Sequence, residues 1–186
     1  MPATSPSVNS CACCADMLTR RFGRRLLFGF AGAAGVSAML PRQARAAEGN
    51  YEAMLLNCID PRFPEPTSAY MRQRGMVGKY SHFVIAGASI GVVAPQFKEW
   101  GPTFWANLGA SIQLHHIPKV IVINHRDCGA AKIAYGADAV KDPASETATH
   151  KAALAAFRAQ LAERHKTMAV ETGLMALDGT VEMFTA

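Results

Sequence analysis

The chain has 186 residues, half of them hydrophobic, enough for one domain with a proper core. Its formal charge of +5 is local, because residues 1–46 hold six Arg against one Asp while residues 47–186 carry 13 basic and 13 acidic side chains. That balance removes the electrostatic reason for the globular part to bind nucleic acid, and nucleic-acid partners are excluded on this ground.

Met1–Met17 is polar and irregular. Thr19-Arg20-Arg21 and Gly23-Arg24-Arg25 follow, then Leu26–Leu40, an uncharged run of fifteen residues rich in Gly and Ala. That is shorter than the roughly 20 residues of a spanning helix. After Pro41, Ala44-Arg45-Ala46 offers a small-x-small cleavage site. Together these make residues 1–46 a cleaved secretory signal peptide, and the paired arginines resemble a twin-arginine signal. Periplasmic export follows, with no membrane attachment after cleavage; an ordinary Sec signal or an uncleaved anchor is the alternative. Cys11, Cys13 and Cys14 fall in this segment and are assigned no role.

Residues 47–186 form the single remaining domain. Tyr51–Cys58 reads as a strand, an unbroken apolar run that suits burial on both faces of a parallel sheet. Pro61, Pro64 and Pro66 leave Asp60 and Arg62 on a loop, with a short helix from Thr67 or Ser68 to about Arg74. His82–Ala86 reads as a second strand, Ala94–Gly101 as a connection of undefined form, and Pro102–His116 as a helix with Phe104, Leu108, Ile112 and His115 at helical spacing. Lys119–Asn124 is the third strand. Cys128–Tyr135 is a short helix whose dipole is expected to lower the pKa of the Cys128 thiol. Ser145–His165 is the longest helix, with Leu154, Phe157 and Leu161 on one face. Thr167–Leu177 is a fourth strand, and Asp178-Gly179 turns the chain into a possible edge strand, Thr180–Phe184. Strands alternating with helices give an α/β fold around a mostly parallel sheet of four or five strands flanked by helices.

Two strands end in residues that bind metals: Cys58, Asp60 and Arg62 after the first, His125, Asp127 and Cys128 after the third. Strand ends on one edge of a parallel sheet form the crevice where sites are built. Two thiolates and one imidazole with a fourth position free are what a catalytic zinc ion takes, so Cys58, His125 and Cys128 are the candidate ligands. Arg62, two residues from Asp60, can orient its carboxylate by charge-assisted hydrogen bonds. The alternative is a Cys58–Cys128 disulfide, since exported proteins keep disulfides. His82, His115 and His116 read as packing or surface histidines, Asp127 as a helix cap, and Trp100, Phe104 and Trp105 as core or interface residues. Gly87–Gly91 lacks the Lys-Ser/Thr of a phosphate loop.

Cys58-Ile59-Asp60-Pro61-Arg62 and His125-Arg126-Asp127-Cys128-Gly129 resemble the paired signatures C-x-D-x-R and H-x-x-C-G of the β-class carbonic anhydrases, across about Met54–Tyr135. The resemblance implies a zinc lyase that reversibly hydrates CO₂ to bicarbonate and a proton. It further implies Cys58, His125 and Cys128 as ligands of one Zn²⁺ per chain, and Asp60 and Arg62 as the catalytic dyad that orients a zinc-bound hydroxide. A homodimer or larger homo-oligomer is implied as well. Two departures stand out. The helical arm that precedes the first strand in the family has no room between Ala46 and Cys58, and Ile85 and Ala88 stand where the family has polar residues. The alternatives are therefore a hydrolase of CS₂ or COS on the same scaffold, and a non-catalytic zinc-binding sensor or assembly protein.

Overall fold

The structure is a computed structural model that describes residues 49–184; the proposed signal peptide and Cys11, Cys13 and Cys14 lie outside the described residues. Among the described residues, five strands form one sheet in the order β2-β1-β3-β4-β5. They are β1 (Ala53–Asn57), β2 (Tyr80–Val84), β3 (Lys119–His125), β4 (Ala169–Met175) and β5 (Val181–Phe184). β1 pairs in parallel with β2 and with β3, β3 pairs in parallel with β4, and only β5 is antiparallel, joined to β4 through the Asp178-Gly179 turn. The α/β expectation holds, with β5 as the edge strand.

Every residue of β1 is buried, and β3 is buried from Val120 to His125. Alternate side chains feed opposite faces, as strand geometry requires. Met54, Leu56, Val120 and Val122 meet Phe104 and Leu108 of α3 (Gly101–His115) and Leu154, Phe157 and Leu161 of α5 (Pro143–Arg164). Ala53, Leu55, Ile121 and Ile123 meet Phe63 and Met71, the latter on α1 (Pro64–Gln73). The sheet is thus covered on both sides, which explains why its central strands show no polar alternation.

The connection leaving β1 runs through α1 to β2 on one side, whereas the chain leaving β3 runs through α4 (Gly129–Tyr135) and α5 to β4 on the other. The C-terminal ends of β1 and β3 therefore flank a topological switch point, where such sheets bind ligands.

Some boundaries differ from the sequence reading. Helix α1 begins at Pro64 rather than at Thr67 or Ser68, because proline lacks only an N–H that a first turn leaves unpaired anyway. The connection after β2 contains a helix that was not anticipated, α2 (Ser89–Val93), and a 3₁₀ turn at Pro95–Phe97. Five residues are too few for a helical period to register. Helix α5 starts earlier than Ser145: Asp142 caps it by accepting the N–H groups of Ala144 and Ser145, with Pro143 at the first position. Among the described residues, no helix is long and apolar enough to cross a membrane.

Candidate metal centre

Cys58 follows directly on β1, His125 is the last residue of β3, and Cys128 is the N-cap residue of α4. All three side chains are buried, and their ligand atoms lie within 4.8 Å of one another. The two cysteines are free thiols, so the disulfide alternative does not describe this chain.

The chemistry of the donors fits a cation. His125 Nδ1 lies 2.8 Å from the Arg126 carbonyl, an acceptor, so Nδ1 carries the proton and Nε2 presents a lone pair. Nε2 is buried and has no hydrogen-bond partner. An orphaned lone pair beside two sulfurs is costly without an occupant and satisfied by a metal ion. The Phe63 ring lies against the imidazole at 4.1 Å between centroids and limits its tilt.

The sulfurs are not equivalent. The Cys58 thiol is drawn down, chiefly because the Cys128 thiol hydrogen-bonds to it, with His125 and the Gly87 N–H at 3.1 Å adding to the effect against burial. Cys128 is pushed up by the same sharing with Cys58 and by burial. The backbone N–H groups of Ala130 and Ala131 at the start of α4 favour the Cys128 thiolate, the effect expected of that helix terminus, and act against the sharing with Cys58 and burial. At His125, burial opposes the charged form, yet the adjacent Cys58 sulfur and the Arg126 carbonyl raise the pKa overall.

Asp60 and Arg62 form a bidentate pair on the loop after β1, Nε to Oδ1 at 2.9 Å and Nη2 to Oδ2 at 2.7 Å, and the Arg62 N–H also donates to Oδ1. The guanidinium holds the Asp60 carboxyl down at about 2. Arg62 reaches further, donating from Nη1 to Asp127 Oδ2 at 2.7 Å and from Nη2 to the Asp127 carbonyl at 3.0 Å. Asp127 is therefore not the helix cap it was expected to be; α4 has no side-chain cap.

Four further residues, none of them proposed as site residues from the sequence, tie α5 and α2 to this end of β3. Glu146 of α5 is buried and accepts hydrogen bonds from the Asp127 N–H and from Arg126 Nη1. One turn on, the fully buried His150 accepts at Nδ1 from Asn124, whose carbonyl oxygen takes the Ser89 N–H and hydroxyl. Glu146 and His150 continue the stripe of Leu154, Phe157 and Leu161 upward in steps of four and three or four. A polar residue on an apolar stripe was the available signal. His82 and His115 bond to Asn57 and Ser81, away from the cluster, as packing residues do.

A cleft of about 380 Å³ is lined by Ile59, Phe83, Val84, Ile85, Ala86, Trp100 and Thr103. Two of these residues adjoin Cys58 and Gly87 in the chain, and the lining is almost wholly apolar.

A family model described as "Putative carbonic anhydrase" matches residues 48–171. An uncharacterized protein of Rickettsia conorii is 33% identical over 129 residues, 69% of this chain and 69% of that protein. An uncharacterized protein of Rickettsia bellii is 30% identical over 129 residues, 69% of this chain and 79% of that protein. Among solved structures, the β-carbonic anhydrase CafA of Aspergillus fumigatus superposes with a TM-score of 0.49 at 14% identity, covering 73% of this chain and 76% of that one. A tetrameric β-carbonic anhydrase of Sordaria macrospora gives 0.49 at 15% identity, covering 74% and 82%.

Proposed function

Because this chain belongs to the carbonic anhydrase family whose model spans residues 48–171, we propose that it is a zinc enzyme catalysing CO₂ + H₂O ⇌ HCO₃⁻ + H⁺. The observation that carries the proposal is the convergence of Cys58 Sγ, Cys128 Sγ and the unpartnered His125 Nε2 within 4.8 Å. In this reading those three atoms hold one Zn²⁺, a donor set that suits zinc over harder cations. When bound, zinc supplies Lewis acidity that brings the pKa of water toward neutrality.

The residues of the chain do the rest. Arg62 keeps Asp60 ionised at neutral pH, so its carboxylate accepts hydrogen bonds and never donates one. Asp60 Oδ1 accepts from both the Nε and the backbone N–H of Arg62, whereas Oδ2 accepts from Nη2 alone and keeps a lone pair with which it orients the attacking water. The Arg126 carbonyl fixes the His125 tautomer. The apolar cleft beside Ile59 and Ala86 suits an uncharged, linear substrate and sheds competing water. The same lining would admit CS₂ or COS, which is the second reading.

Periplasmic export through the twin-arginine route rests on residues 1–46 alone; sequencing the N-terminus of the exported protein tests it. A homo-oligomeric state is supported by the exposed apolar side chains Ile59, Val84 and Trp100 around the cleft, and sedimentation tests it.

Stopped-flow CO₂ hydration by the metal-loaded protein is the decisive experiment. A rate no better than that of free zinc, with one metal bound per chain, rejects carbonic anhydrase activity; the same protein is then assayed with CS₂ and COS, and failure there leaves a sensor or assembly protein.

A further inference from the structure

Asp127 stands between His125 and Cys128 at φ +55°, in the left-handed region that side chains other than glycine seldom adopt. Such a conformation persists only where its surroundings impose it, and it clusters at functional sites. Three contacts impose it here. The Asp127 N–H donates to the buried Glu146, its carbonyl accepts from Arg62 Nη2 at 3.0 Å, and its carboxylate accepts from Arg62 Nη1 at 2.7 Å. None of them belongs to helix capping, since the first turn of α4 receives no side-chain cap.

Arg62 is consequently divided between two loops. One edge of its guanidinium grips Asp60 after β1, and another grips Asp127 after β3, on the same loop that delivers His125 and Cys128. We propose that Asp127 is a positioning residue that indexes the Asp60–Arg62 pair to the metal-ligand loop, with Glu146 holding Asp127 in the required backbone conformation. The catalytic part of this inference rests on the proposed function; the clamp itself does not.

The exposure of the pair says where the effect should be read. The Asp127 side chain is 71% exposed and that of Arg62 46%. Ion pairs as open as this add little to stability, so the contribution is one of orientation. Removing the carboxylate should loosen Arg62 without melting the protein, and a purely structural residue would do the reverse.

The test uses ¹⁵N-labelled, zinc-loaded protein and the variants Asp127→Gly, which accepts the positive φ without strain, and Asp127→Asn, which tolerates it and keeps the shape without the charge. Hydrogen exchange at Arg62 Nε–H, the group bonded to Asp60, reports the clamp directly. In Asp127→Gly this exchange is expected to rise at least ~10-fold, with Asp127→Asn between it and the wild type. Metal stoichiometry should stay at one per chain and the thermal midpoint within about 3 °C of the wild type. Both kcat and kcat/KM should fall together by roughly 10- to 100-fold with KM unchanged, the pattern of an interaction that matters only in the transition state. Wild-type protection of Arg62 Nε–H in Asp127→Gly overturns the proposal. Loss of bound metal or a collapse of the midpoint in both variants overturns it too, by making the role structural. If the wild type hydrates no CO₂, the proposed reaction fails, and the exchange rates alone decide whether Asp127 holds Arg62.

Discussion

Gly91→Ala and Gly109→Ala are the same substitution in two helices, and the structure gives them opposite signs. Gly109 lies in α3 with nothing within 4 Å of where a Cβ would stand. There, alanine gains helix propensity and restricts the unfolded chain, for about 0.5–1 kcal/mol of added stability. Gly91 lies in α2, and a Cβ there would sit less than 3.0 Å from the Ala86 carbonyl oxygen, with Ile85 Cγ1 at 3.3 Å and Cγ2 at 3.4 Å. To restore an ordinary carbon–oxygen contact, α2 and the Ala86-Gly87 turn must part by about 1 Å. The obstacle is backbone, which cannot rotate away, so the cost belongs at the upper end of the roughly 1–3 kcal/mol for overpacking. Net of the propensity gain, Gly91→Ala should lose about 1–2 kcal/mol. Urea unfolding of both variants, metal-loaded, measures the difference, with the slope unchanged and the midpoints moving in opposite directions. The same strain moves the Gly87 N–H off Cys58, so metal affinity should fall with stability in Gly91→Ala. Equal midpoints for the two variants would refute the close approach of α2 to the turn.

Four other outcomes follow from the same structure. Cys58→Ser should lose the metal, measured by elemental analysis after dialysis; normal zinc content would contradict the ligand assignment. Asp60→Ala should keep its metal and lose turnover, and a full hydration rate would remove the dyad from the mechanism. His150 is fully buried, and its pKa is lowered to about 4, chiefly by burial, with the Arg126 charge adding to it. The unfolded chain therefore takes up this proton near pH 6.5 and the folded chain does not, so stability falls as pH drops from about 6.5 to 4, by roughly 3 kcal/mol. Urea unfolding from pH 7 to 4 should show that loss in the wild type relative to His150→Gln; parallel curves would refute it. Phe157→Ala removes a side chain packed against Phe104 and Trp105 and should cost about 3–5 kcal/mol, checked by the unfolding midpoint.

The centre of the fold was legible because its signals are local. β1 and β3 are unbroken apolar runs, and each is followed at once by the residues that converge, so strand ends and ligand types could be read from the same ten residues. The partners of Asp127 could not. Arg62 lies 65 residues away and Glu146 nineteen, and short-range pattern gives no hint that the three meet. Proximity to the α4 N-terminus made Asp127 look like a cap. The Gly87 N–H that donates to Cys58 comes from the turn after β2, and nothing local to Cys58 announces it. Proline-rich sequence hid the start of α1 because proline, a breaker inside a helix, is tolerated in its first turn. The glycines of the Ala86–Gly91 stretch, which superficially suggest phosphate, are explained by a positive φ at Gly87 and by the close packing of Gly91.

Strand order carries one more consequence. β1 and β3 are neighbours in the sheet, yet Cys58 and Cys128 stand seventy residues apart, with all of β2, α2 and α3 between them. An ion gripping both sulfurs would act as a cross-link closing that whole excursion, comparable to a disulfide spanning a loop of this size, for which chain entropy gives about 4 kcal/mol. Such a staple can close only after β1 and β3 have paired. Occupancy would then report completed assembly, and chelation should release the two crossover arms first.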